Sequence, residues 1–254
     1  MEPYSRAWEF DRELQERGAA RVQRFDRGAA LYNDSLPRVY DCNFVRVDNA
    51  DGLDADGAVR LADSLQGDLR HRKLVLPDSA QTVARELTRR GWSRARIATM
   101  EYIGDGDLPA AQDAEQVDPR AIRGAREAAL ADRDPDLTRQ IAEYTERLAA
   151  ANDGRVLAAF AEGEVGAFCA LFERDGVGEI DEVTTLDRFR KRGLGNAVVT
   201  AALRTSLAHG NTMTFLNADA DDWPKRWYER LGFSEVGLRY EVWRVAPRSQ
   251  VPNT

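Results

Sequence analysis

Along the second half of the chain, apolar positions switch between helical and strand-like spacing, and each switch predicts an element. In PRAIRGAREAALADR (119–133) and PDLTRQIAEYTERLAAA (135–151) they recur at helical spacing. Each of these opens with a proline after an aspartate, an arrangement that starts helices. GRVLAAFAEGEVGAFCALFERDGVGEIDEVTTL (154–186) reads as three strands separated by the turn pairs Glu162-Gly163 and Asp175-Gly176. A basic, glycine-bearing turn follows in RFRKRGLGNAVV (188–199), then the helix GNAVVTAALRTSLAHG (195–210), which Gly210 is placed to end. TMTFLNA (212–218) predicts a short strand and WPKRWYERLGF (223–233) a short helix between Pro224 and Gly232. LRYEVWRV (238–245) alternates as a last strand, and PRSQVPNT (247–254) reads as a frayed tail.

Shifted by 141 residues, the first half falls on the same pattern. NADGLD (49–54) meets RKRGLG (190–195), and ADGAVRLADSLQ meets NAVVTAALRTSL. VARELTRRGW meets PKRWYERLGF, matching Gly91 to Gly232, and RIATMEYIG meets GLRYEVWRV. Identities are few, but the order of strand, glycine turn, helix, strand, helix, Gly-aromatic and strand is shared. Two related domains are expected, over 1–110 and 111–247, with a flexible tail at 248–254.

Composition narrows the chemistry. The chain has 254 residues, 43% apolar and 31% charged, with net charge −7, the profile of a globular protein. Its acidity argues against nucleic acid, whose phosphates call for a basic stripe. The longest apolar stretch, near Ala197 to Leu203, is too short for a bilayer, and MEPYSRAWEFDRELQERG has no apolar signal core. A cytoplasmic protein with no membrane or nucleic-acid partner is expected. Cys42 and Cys169 are lone residues, and His71 and His209 are the only histidines. A metal site would need nearly all of them to converge, and His209 before Gly210 suits a cation at a helix end. No metal is expected.

The basic turn lacks the Gly-Lys-Ser/Thr of a Walker loop, and Val198 stands where a dinucleotide fingerprint needs its third glycine. Arg190-x-x-Gly193-x-Gly195 remains, between a strand and a helix. Glycines let backbone approach an anion closely, and the first amides of a helix have no internal partner. Arg190, Lys191 and Arg192 add charge-assisted bonds, each contributing about 1.5–3 kcal/mol. A solvated basic helix start is the plain alternative. It is weakened because cations there oppose the helix dipole, and three of them ask for an anion.

With its surroundings, EVTTLDRFRKRGLGNAVV resembles the acetyl-CoA signature of the GNAT acetyltransferase superfamily. FLNADADDWPKRWYERLGF resembles the segment that follows it there, an asparagine at a strand end and then a helix closing on Tyr-Glu-x-Leu-Gly-Phe. The resemblance is close over about 155–245. It implies an α/β (α+β) fold of two tandem GNAT-like domains, each a mixed, mostly antiparallel sheet flanked by helices. It further implies that the amides of Lys191, Arg192, Gly193, Leu194, Gly195 and Asn196 hold the pyrophosphate of acetyl-CoA. Backbone groups of Val183, Thr184 and Thr185 would pair with the pantetheine arm, Asn217 would touch it, and the strands would splay between Thr185 and Asn217.

In this family an amine attacks the bound thioester directly, which needs a base and an acid. Tyr228 matches the family's acid. Glu179 and Glu182 are candidates for the base, with an ordered water chain as a third possibility. Strand alternation puts Glu179 and Asp181 on one face and Glu182 on the other unless a bulge intervenes. Asp187 replaces a frequent proline, and the acidic stretch Asp219, Asp221 and Asp222 lengthens the path to Tyr228. Asp222 before Trp223-Pro224 suits a helix cap. The first half has Asn49, Asp51 and Asp54 where the second has Arg190, Arg192 and Gly195, and Leu87 where the second has Tyr228. Carboxylates repel a phosphate, so one working site is expected. The expected activity is acetyl transfer from acetyl-CoA to a primary amine of a small molecule, amino acid or peptide. A non-catalytic acyl-CoA binding or sensing protein is the alternative, and monomer and homodimer are both open.

Overall fold

The computed structural model describes residues 2–104, 108 and 113–245. The tail expected at 248–254 and the domain boundary at 110/111 lie outside the described residues. The chain forms two compact units, a larger one of Ala98–Gly237 with the N-terminal segment to Gly18, and a smaller one of Ala19–Ile97 with the segment from Leu238.

The larger unit begins with α1 (Pro3–Gly18), which buries Ala7, Phe10 and Leu14 at helical spacing. After β5 (Ser93–Tyr102) and β6 (Glu115–Val117) come α4 (Arg123–Ala129) and α5 (Pro135–Ala151). Asp134 caps α5 by accepting from the amides of Asp136 (3.1 Å) and Leu137 (3.2 Å), as the Asp-Pro start predicted. The helix predicted from Pro119 starts later. Asp118 accepts from the Arg120 amide at 2.8 Å, and this turn delays the helix to Arg123. β7 (Arg155–Ala161), β8 (Glu164–Arg174) and β9 (Val177–Thr185) form an antiparallel meander. The turn pairs fall between the strands, with Glu162 and Asp175 left-handed at φ 56° and 51°. α6 (Leu194–Ala208) crosses to β10 (Met213–Asp219), which pairs parallel with β9. α7 (Trp223–Arg230) and the start of β11 (Phe233–Val245) follow, and Asp222 caps α7 through the Trp223 amide at 2.7 Å. The strand order is β5-β10-β9-β8-β7-β6.

The smaller unit has β1 (Arg21–Phe25), β2 (Gly28–Tyr32), β3 (Phe44–Val47), α2 (Ala55–Leu65), β4 (His71–Pro77) and α3 (Gln81–Arg89). Its sheet runs β1-β2-β3-β4-β11, with β3 and β4 parallel and the other pairs antiparallel. Leu74, Leu76, Leu87, Trp92, Tyr240 and Val242 lie in its core. Burying each large side chain of this kind contributes about 1.5–3 kcal/mol. The two glycines that the repeat aligned share a conformation with their counterparts. Gly52 and Gly193 are left-handed at φ 67° and 83°, and Gly91 and Gly232 at 87° and 92°.

The units do not divide the sequence in two consecutive pieces. β4 pairs with β11, while β10 has β5 as its neighbour. β5 and β11 are the strands that the repeat aligned with each other, so each unit takes its last strand from the other half of the sequence. Their alternating patterns are equivalent, and nothing in a pattern says which partner a strand chooses. α1 likewise belongs with Ala98–Gly237 rather than with the residues that follow it.

Candidate active site

The basic turn folds as a short 3-10 segment (Asp187–Phe189), an extended Arg190 and a left-handed Lys191 at φ 63°, and it ends at Gly193. Gly193 is the N-cap of α6, left-handed at φ 83°, and no side chain caps the helix. The first internal hydrogen bond of α6 runs from the Ala197 amide to the Gly193 carbonyl (3.0 Å). The preceding amides therefore stand at the positive end of the helix without an internal acceptor. The two glycines have different tasks. Gly193 supplies a backbone conformation that costs other residues about 1–2 kcal/mol. Gly195 lies inside the helix and supplies closeness, since a Cβ there would sit 3.1 Å from Thr185 Oγ1 and 3.5 Å from the Trp227 ring.

Each arginine of the turn already meets a carboxylate. Arg190 pairs with Asp187 at 2.8 Å, Arg192 with Glu162 at 2.6 Å, and Arg188 with Glu164. Arg192 holds the Glu162 carboxyl below its usual range. Glu162 and Glu164 come from the β7–β8 turn, so the meander carries acids to the basic loop. These pairs are exposed and screened by solvent, so each is weak. An incoming polyanion can displace them.

Beside the turn, β9 and β10 part. Their parallel register covers Met213↔Val177 to Leu216↔Ile180, while β9 continues to Thr185 and β10 to Asp219. On β10 the pairing ends at Leu216, directly before Asn217, and on β9 it ends at Ile180, short of Thr185. At its root Asn217 Nδ2 donates to Glu179 Oε1 (2.9 Å) and Thr99 Oγ1 donates to Asn217 Oδ1 (2.9 Å). Glu179 is buried at 4% exposure.

Above that root a bulge does intervene. Ala170 faces Asp181 but Phe168 faces Thr184, and Glu182 stands at φ 54°. Glu182 is separated from Glu179 by more than alternation. Both its oxygens are taken by buried Arg126 of α4, at 2.5 and 2.7 Å. Val183, Thr184 and Thr185 form the end of β9 beyond the bulge.

Tyr228 is buried on α7, with its ring 4.6 Å from Trp227 and 5.9 Å from Phe233. Burial, with the neighbouring Cys169 and Asp181 as lesser causes, pushes its hydroxyl well above the ordinary tyrosine range. It therefore stays protonated throughout the neutral range. Trp227 reaches the other way, and its Nε1 donates to Asn196 Oδ1 on the first turn of α6 (2.7 Å). Arg126, Thr99 and Trp227 did not emerge from the sequence. Only Trp227 had a signal, as the neighbour of Tyr228 in the closing motif.

In the smaller unit the matching helix start is closed. Asp54, the counterpart of Gly195, is the N-cap of α2 and accepts from the Gly57 amide at 2.7 Å. Leu87, the counterpart of Tyr228, is fully buried. Among the described residues no group of His, Cys, Asp or Glu comes together that could hold a metal ion. No helix among them is long and apolar enough to cross a membrane.

Residues 157–243 match the family model described as FR47-like protein. No curated protein matches the chain. Among solved structures, a functionally unknown conserved protein from Staphylococcus epidermidis superposes with TM-score 0.72 at 14% identity, covering 90% of this chain and 95% of that one. A GCN5-related N-acetyltransferase from Kribbella flavida gives TM-score 0.63 at 21% identity, covering 96% of each chain. A tandem GNAT protein from the clavulanic acid biosynthesis pathway gives TM-score 0.55 at 16% identity, covering 90% of this chain and 83% of that one. At such identities the likeness speaks for the fold.

Proposed function

We propose that this chain, which shares its fold with GNAT proteins and matches the FR47-like model over residues 157–243, is an acetyltransferase of that kind and transfers an acetyl group from acetyl-CoA to a primary amine. One observation carries the reading: an uncapped helix N-terminus on a left-handed glycine opens beside two diverging parallel strands. The residues present fit the donor. The amides from Lys191 to Asn196 would hold its pyrophosphate, and the smooth surface at Gly195 admits close approach. Arg190 and Arg192 would exchange their carboxylate partners for phosphate oxygens, and Lys191 would add its charge beside them. The backbone of Val183 to Thr185, with Asn217 opposite, would take the pantetheine arm. When bound, the donor supplies an acyl group activated as a thioester.

The remaining chemistry is proton handling. Tyr228, kept protonated by burial, is the donor for the departing sulfur. Glu179, at the root of the divergence, is the acceptor for the ammonium proton. Glu182 is poorly suited to that task, because Arg126 occupies both of its oxygens. The smaller unit would act as scaffold.

Calorimetric titration with acetyl-CoA, followed by a thiol-release screen against panels of amines, tests the reading. Binding with thiol release for some amine class supports it. Binding without release for any amine would favour an acyl-CoA binding protein, and absence of binding would refute both.

A further inference from the structure

The bulge in β9 is held from outside the strand. A regular continuation from Ala170↔Asp181 would set Val183 opposite Phe168 and Thr184 opposite Ala167. The observed partners are Thr184 and Thr185, so one residue is inserted and later side chains change face. The insertion centres on Glu182, whose left-handed backbone at φ 54° persists in a non-glycine residue only where its surroundings over-determine it. Those surroundings are Arg126. Its Nε and Nη2 grip the two Glu182 oxygens at 2.5 and 2.7 Å, and its guanidinium carbon stands 5.7 Å from the centre of the Phe168 ring. Phe168 is the β8 residue at which the register slips. Arg126 is only 3% exposed, so a planar fork with five donors is fixed at one place. The Glu182 amide also donates to Asp181 Oδ1 (2.7 Å), closing the bulge on its own strand.

We propose that Arg126 is a positioning residue for the acyl donor: by gripping Glu182 and lying over Phe168 it fixes the inserted residue, and so the course of the Val183–Thr185 backbone beside the diverging strands. The inference rests on the acyl-CoA reading above and gives Glu182 the task of an anchor. It predicts that the pair matters to the pantetheine arm and not to the pyrophosphate turn, which is built on α6.

Two ligands separate these contributions. Acetyl-CoA needs both the turn and the β9 edge, whereas 3′-phospho-ADP, the nucleotide end without the arm, needs the turn alone. Titration calorimetry on the full chain with Arg126→Gln and Glu182→Gln should show acetyl-CoA binding weakened about tenfold, about 1.4 kcal/mol, with 3′-phospho-ADP unchanged. The double variant should be no worse than either single one, because both remove the same contact. Arg126→Lys keeps charge and stem but loses the fork, and it should recover part of the affinity. It also serves if the glutamine variant does not fold. Equal weakening of both ligands, or no change in acetyl-CoA binding, would overturn the assignment. A wild-type chain that binds neither ligand would overturn the acyl-CoA reading together with it.

Discussion

Two helices of this chain start from the same turn, and only one start is open. Gly52 and Gly193 are equivalent and both left-handed, yet α2 is capped by the Asp54 carboxylate while α6 is capped by no side chain. A carboxylate on the first amides does for α2 what a phosphate would do for α6. The strands before the two turns differ as well. β3 ends at Val47, one residue past its last parallel pair, Arg46↔Val75. β9 runs on from Ile180 to Thr185. A glycine turn thus specifies how a chain enters a helix and says nothing of what the helix binds. On the proposed reading, that is decided by the cap residue and by the length of strand that continues beyond its parallel partner.

The largest expected effect comes from making the open start like the closed one. Gly195→Asp places a carboxylate where Asp54 stands in the smaller unit, and acetyl-CoA affinity should fall more than 100-fold by calorimetry, about 2.7 kcal/mol or more. Gly195→Ala brings a Cβ to within 3.1 Å of Thr185 Oγ1 without a charge, and a loss of under about tenfold is expected. Similar losses for the two would mean that closeness rather than charge distinguishes the helices.

Tyr228→Phe comes next. It should lower turnover about 100-fold while leaving acetyl-CoA affinity intact. Burial raises the hydroxyl's proton affinity, and an acid works below its pKa, so kcat should show no basic fall up to about pH 10. A fall near pH 8 or 9 would assign that limb to another group.

The smaller unit offers the reverse exchange. Asp54→Ala should destabilise the chain by about 1 kcal/mol in denaturant titration, with acetyl-CoA affinity unchanged. The smallest effect concerns the acids that meet the basic turn. Glu162→Gln frees Arg192 and should tighten acetyl-CoA binding about two- to threefold at low salt, with the gain vanishing near 1 M salt.

Much of this comparison was legible in the sequence, because its parts are local. The turn pairs of the β7–β8–β9 meander, the aspartate caps of α5 and α7, and the paired glycines follow from residue types at short spacing. The acidic echo of the basic turn could be read by simple alignment of the halves. What was not legible depends on distant partners. Arg126 and Glu182 are 56 residues apart and meet only once α4 lies beside β9. The acids facing Arg188 and Arg192 arrive through the register of a hairpin. The exchange of β5 and β11 leaves no trace in two equivalent alternating patterns. α1 had a readable stripe in Ala7, Phe10 and Leu14, obscured by the charges between them.

The number of acetyl-CoA molecules bound per chain tests the comparison most directly. Titration of the wild-type chain should saturate at one, the site should vanish in Gly195→Asp, and it should persist in Asp54→Ala. Saturation at two, or a single site lost in Asp54→Ala and kept in Gly195→Asp, would contradict the account.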